Sequence, residues 1–293
     1  MHEVIPGDEL EFGGLVDNKP LIIKTCKNVL KYKIIGESYN NMREFPLHGV
    51  PGDQLIGTNK SFVVNQKEIW VLGHYSNGNY QLNQLISLNQ PPKEGPKLPF
   101  TTICGHSMVQ IDTKTIYIIG GYKFATREKT EETWVIDPSS NYDFKPGPSL
   151  KKARSFHACA TMILNGRIFI IIAGGQASQS VLLGGCNTTV EILDTSNPTH
   201  GWMEGPTLPT QLRDFTMVTS PTRKGIVIIG GSSGYGGYRQ NEYLDALYEL
   251  SGDSINNLKW TFLEQKLQIA RYNHFSFYIP NQVCNDINSI KSS

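Results

Sequence analysis

Short β-branched runs, most of them closed by glycine, recur along the chain and predict strands where no helical period competes. Ile116-Tyr117-Ile118-Ile119-Gly120-Gly121 is the clearest run. It is followed by a loop, a second strand Thr133-Trp134-Val135-Ile136-Asp137-Pro138, and Phe144-Lys145-Pro146-Gly147-Pro148. The next copy reads Ile168-Phe169-Ile170-Ile171-Ile172-Ala173-Gly174-Gly175, then Thr189-Val190-Glu191-Ile192-Leu193-Asp194, then Trp202-Met203-Glu204-Gly205-Pro206. A third has Ile226-Val227-Ile228-Ile229-Gly230-Gly231, Ala246-Leu247-Tyr248-Glu249-Leu250 and Trp260-Thr261-Phe262. Upstream, Ile69-Trp70-Val71-Leu72-Gly73-His74 keeps one glycine and Pro20-Leu21-Ile22-Ile23-Lys24 keeps none. The period is about 50 residues, which marks a repeat architecture rather than a single irregular sheet.

Each unit also opens alike. Arg154-Ser155-Phe156-His157, Arg213-Asp214-Phe215-Thr216 and Arg271-Tyr272-Asn273-His274 precede a predicted innermost strand, and Gly105-His106 is a copy without the arginine. The order of apolar run, Gly-Gly, second strand and Trp-x-x-Gly-Pro resembles kelch repeats over about residues 12 to 280. The resemblance implies an all-β fold, a kelch-type β-propeller. Its units lie near residues 12–48, 49–99, 100–150, 151–209 and 210–270, with a closing strand at 271–280 and a flexible tail at 281–293. Residues 1–11 read as one strand of a partial first blade. The expected ring has six blades with an incomplete first blade; a closed ring of five is the alternative.

Elementary packing supports that reading. A four-stranded blade cannot cover both of its faces, so blades stack radially, each leaning on its neighbours. The continuous apolar runs are then strands buried on both faces. The glycines allow sharp turns and close approach, and the later Trp or Phe fills the wedge between blades.

Composition narrows the function. Net charge is +1 and no dense basic stretch exists to neutralise phosphates, so nucleic acid is not an expected partner. No apolar run approaches the roughly 20 residues of a membrane-spanning helix, so membrane insertion is not expected. The first residues lack the apolar core of a signal peptide, which reads either as an intracellular protein or as a chain without its true start. The five cysteines form no CxxC pair and read as buried thiols, with disulfides of a secreted protein as the alternative. Asn59-Lys60-Ser61 and Asn187-Thr188-Thr189 are sequons that do not separate the two compartments.

In such a fold the strands are scaffold and the loops carry function. Tyr122 and Arg127 in one loop, and Tyr235, Tyr238 and Arg239 in another, are candidate contacts, since Tyr and Arg dominate binding hot spots. Arg154, Arg213 and Arg271 stand before inner strands. The kelch resemblance implies contact between such arginines and an acidic peptide, through paired hydrogen bonds to carboxylates. The competing expectation is that each arginine ties down its turn by bonding backbone carbonyls. His106, His157 and His274 recur at one repeat position and read as structural, with no metal site. No catalytic or nucleotide motif is present, and no cofactor is expected. The expected role is a protein- or peptide-binding module, a recruiting adaptor being one form of it. A secreted recognition propeller is the alternative, and a propeller oxidase or epimerase the more distant one.

Overall fold

The computed structural model describes residues 9–16, 19–26, 29–34, 43–46, 60–64, 68–74, 81–87, 91, 93–177, 186–219, 225–233, 242–274 and 276. Among them there is no α-helix, and the regular structure is strand with short 3-10 turns. The chain divides into two compact units, one of residues 1–103 with 279–293 and one of residues 104–278.

The first unit holds two four-stranded antiparallel sheets. One has β1 (Glu9–Val16), β2 (Lys19–Cys26), β3 (Val29–Ile34) and β4 (Arg43–Pro46) in spatial order. The other has β5 (Lys60–Val64), β6 (Glu68–His74), β7 (Gln81–Ser87) and β8 (Lys93–Glu94). Strand β1 starts at Glu9, so residues 9–11, assigned above to a separate partial strand, run into the first strand of this sheet. Residues 1–8 lie outside the described residues, as do 277–293, with the tail and part of the 271–280 segment. In β6 Trp70, Val71 and Leu72 are buried. Trp70 Nε1 donates to Asn83 Oδ1 at 2.8 Å, and Asn83 Nδ2 donates to the Pro96 carbonyl at 2.6 Å, tying the strand pair to the Gly-Pro turn.

The second unit holds three four-stranded antiparallel sheets and two small ones. The first contains β10 (Ser107–Asp112), β11 (Thr115–Ile119), β14 (Thr133–Asp137) and β15 (Asp143–Pro146). Beside it, β9 (Ile103–Cys104), β12 (Tyr122–Lys123) and β13 (Glu128–Lys129) form a ribbon ordered β13-β12-β9. The second contains β16 (Ala158–Leu164), β17 (Arg167–Ala173), β18 (Val190–Asp194) and β19 (Met203–Glu204). The third contains β20 (Thr216–Thr219), β21 (Gly225–Ile229), β24 (Ala246–Ser251) and β25 (Lys259–Lys266), with the two-residue pair β22 (Ser232–Ser233) and β23 (Glu242–Tyr243) beside it.

Strand β17 shows why its run is apolar without alternation. Phe169, Ile171 and Ala173 enter a core shared with Met217, Ile226 and Ile228 of the third sheet. Ile170 and Ile172 enter another shared with Val109, Tyr117 and Ile119 of the first. Both faces are dry because a neighbouring sheet lies on each. Trp202 is buried in the second of these cores, and its indole donates to the Pro148 carbonyl of the preceding sheet at 2.8 Å. Trp260 repeats the arrangement against the Pro206 carbonyl at 2.9 Å. A large ring thus fills the wedge while its one polar atom is satisfied.

The glycine doublets solve a crowding problem. A Cβ on Gly120 would lie 2.9 Å from Cε1 of His157, which leads into the next sheet, and one on Gly175 would lie 2.8 Å from Cβ of the same histidine. His157 is therefore held between the first glycine of one doublet and the second glycine of the next. No side chain fits at either glycine, and both have positive φ.

Candidate functional site: the connector face

In an antiparallel four-stranded sheet the second strand ends where the first begins. The register Ser107↔Ile119, Ala158↔Ala173 and Thr216↔Ile229 therefore puts each glycine doublet beside the lead-in to its own inner strand. The loops joining second to third strands leave from that same end. One face of the residue 104–278 unit thus gathers the long loops and the lead-in segments, including the candidate residues described there.

Backbone geometry defines the lead-in position by position. Gly105, Phe156, Asp214 and Asn273 all have φ between 50° and 59°. They form a chain of hydrogen bonds from sheet to sheet: Phe156 N donates to Gly105 O at 2.7 Å, Asp214 N to Phe156 O at 3.0 Å, and Asn273 N to Asp214 O at 2.7 Å. Two residues earlier, the carbonyls of Arg154, Leu212 and Arg271 accept from the second glycines Gly121, Gly175 and Gly231, each at 2.8 Å.

This framework changes the alignment of the arginines. Arg154 and Arg271 occupy one position, shared with Leu212. Arg213 stands one residue later, at the position of Ser155 and Tyr272. Matching the arginine letters aligned Arg213 out of step, because the fixed point is the residue with positive φ, not the cation. Asp214 and Asn273 carried the usable signal, since Asp and Asn tolerate that conformation better than other side chains.

The three arginines also have different surroundings. Arg154 is 0 % exposed. Its Nη1 donates to the carbonyls of Gly174 and Thr189, each at 3.0 Å, and its Nη2 to Thr189 Oγ1 at 2.9 Å and Glu191 Oε1 at 2.6 Å. Glu191 Oε2 accepts from Lys151 N at 2.8 Å, so the carboxylate is held at both oxygens. Burial lowers the Arg154 pKa and the charge of Glu191 opposes that shift. This guanidinium anchors the second sheet and presents nothing to a partner. Arg213 is half-buried, with Nε 3.8 Å from Asp214 Oδ2. Arg271 is exposed and its Nε donates to the Ile269 carbonyl at 3.4 Å.

Tyr122 is half-buried and meets Phe124 edge to face, with centroids 5.5 Å apart. Arg127 lies exposed at the tip of the β12–β13 hairpin with φ 58°. Tyr235, Tyr238 and Arg239 lie outside the described residues.

A feature not anticipated from the sequence lies beside Arg271. Tyr272 follows it in the lead-in, and Tyr243 comes from β23 in the long loop of the third sheet. Their rings stack at 4.3 Å with an interplanar angle of 7°. They remain 46 % and 48 % exposed. The Tyr272 phenol is held above its usual pKa, first by its hydrogen bond to Tyr243 and then by burial, with Asp214 adding and Arg213 opposing. Two large apolar surfaces are thus fixed in place by each other and left open to solvent.

Other reactive groups on this face are quiet. Burial, with a smaller contribution from Asp214, pushes the Cys104 thiol up to about 12, which keeps it protonated and unreactive. Cys104 and Cys186 are buried thiols and Cys159 is half-buried. Among the described residues no three His, Cys, Asp or Glu side chains are disposed to hold a metal ion. No described helix is long and apolar enough to cross a membrane. No protein-family model matches the chain, and no curated protein matches it.

Proposed function

We propose that the chain is a protein-interaction module that holds a protein or peptide ligand on the connector face of the residue 104–278 unit. In this reading the four-stranded sheets are blades of a kelch-type propeller, six with one incomplete. The observation that carries the function is the Tyr243–Tyr272 stack. Aromatic rings already ordered in the free protein give contact area at low entropic cost, which is what binding hot spots require.

Arg271 beside the stack, and Tyr122 and Arg127 on the hairpin of the first sheet, supply further contacts. Arg154 is committed to the fold and Arg213 faces Asp214, so an acidic ligand would meet one exposed guanidinium of the original three, that of Arg271. Ring contact therefore dominates recognition, and affinity depends only weakly on salt.

Affinity capture with the folded chain, followed by titration of the captured ligand, tests the reading. Tyr243→Ala and Tyr272→Ala should each weaken binding by about tenfold or more while leaving the circular dichroism spectrum unchanged. A ligand retained at undiminished affinity by the double variant removes the connector face as the site.

A further inference from the structure

The outer edges of the five described four-stranded sheets are not alike. Four of the outermost strands are short and run into proline. β4 ends at Pro46, β8 and β19 are two residues each before Gly95-Pro96 and Gly205-Pro206, and β15 ends at Pro146 before Gly147-Pro148. Shortness and proline both blunt a sheet edge, because they remove the row of free N–H groups onto which another strand could add.

β25 lacks both devices. It runs eight residues, Lys259–Lys266. Where three sibling units run into Gly-Pro (Gly95-Pro96, Gly147-Pro148 and Gly205-Pro206) it reads Trp260-Thr261-Phe262-Leu263-Glu264, and the next proline is Pro280. One side pairs with β24; among the described residues the other side has no strand. Trp260 is half-buried against the adjoining core, but Phe262 on the same face is 52 % exposed. The register shifts after Phe262, so the straight, pairing-competent part is Lys259 to Phe262.

We infer that β25 is a dimer edge, joined antiparallel to β25 of a second copy of this chain about a two-fold axis at Thr261. Self-complementarity selects a second copy. In that register Thr261 faces Thr261 and Trp260 faces Phe262, so aromatic meets aromatic and no like charges oppose within the straight segment. The pairing buries the exposed Phe262 ring. A two-fold contact of β25 with its own copy uses the same edge on both chains, so that contact closes at the dimer. The interface is small, so its dissociation constant is on the order of 1–100 µM. It uses none of the ligand-site residues proposed above and stands or falls apart from them.

Sedimentation of the full chain from about 1 to 300 µM tests the inference. The expected result is a reversible monomer–dimer equilibrium whose dissociation constant rises at least about tenfold in Phe262→Lys, which places a charge on the edge as natural edge strands do. Thr261→Cys, which leaves Phe262 in place, gives an independent reading: mild oxidation should produce a reducible covalent dimer absent from Lys145→Cys on the blunted β15. A chain monomeric at the highest concentration overturns the inference, and so does a dimer that Phe262→Lys leaves unchanged.

Discussion

Arg154 and Glu191 are the charged pair on which the residue-scale energetics turn, because neither side chain retains more than 3 % exposure. A buried pair is expensive to desolvate, and its attraction with supporting hydrogen bonds roughly offsets that cost. Removing one partner leaves the other charge uncompensated. Arg154→Ala should therefore destabilise the protein by about 3–5 kcal/mol, read as a shift in the urea midpoint. Arg154→Met combined with Glu191→Leu should recover much of that loss, though not all, since Lys151 N and the carbonyls of Gly174 and Thr189 lose their partners. A double variant as unstable as the single one would show that packing around the guanidinium stem matters more than its charge. The sequence already offered this anchoring use of Arg154 beside the ligand-binding one. What it could not offer was the choice between them, because Glu191 lies 37 residues away and meets the arginine only through tertiary packing. The tyrosine stack was hidden for the same reason: Tyr272 stood in a quoted motif, but its mate lies across a loop of unconstrained length.

Turns are where element-scale information was most local and most legible. The apolar runs of the three strong repeats appear as β11, β17 and β21, and their later strands as β14, β18 and β24. Asn165-Gly166 joins β16 to β17 with φ of 49° and 75°, a two-residue turn whose twist matches that of the strands it connects. Asp137 and Asp194 each end a third strand and accept from the backbone N–H two residues on, at 2.8 and 3.0 Å, which sets the turn towards the outer strand. Gly166 and Gly175 both have positive φ, yet they differ in surroundings. A Cβ at Gly166 meets nothing within 4 Å, whereas at Gly175 it would lie 2.5 Å from the Ser155 carbonyl. Gly166→Ala should cost about 1–2 kcal/mol, the conformational strain alone. Gly175→Ala should add about 1–3 kcal/mol of overpacking to that strain, because the colliding atom is backbone. Thermal melts of the two variants measure the difference. Equal losses would mean that the doublet is needed for its φ angles and not for close approach.

At the scale of the residue 104–278 unit, each sheet is covered by the next, so stability is expected to follow nearest neighbours. The blade number inferred from the sequence depends on segments at both chain ends. Neighbour packing does not, and it can be tested where the cores are well defined. Ile119 and Ile172 share the core between the first and second sheets, while Ile228 belongs to the core between the second and third. Single Ile→Val changes at these positions should each cost about 0.5–1.5 kcal/mol. Ile119→Val with Ile228→Val should be additive within about 0.5 kcal/mol, because a whole sheet separates the two cavities. Ile119→Val with Ile172→Val should depart from additivity by about 0.5 kcal/mol or more, since one core relaxes around both losses. Chemical denaturation of the three single and two double variants gives both coupling energies. Strong coupling between Ile119 and Ile228 would mean that strain crosses the middle sheet intact, and the picture of sheets supported one by one by their neighbours would have to give way to a single indivisible core.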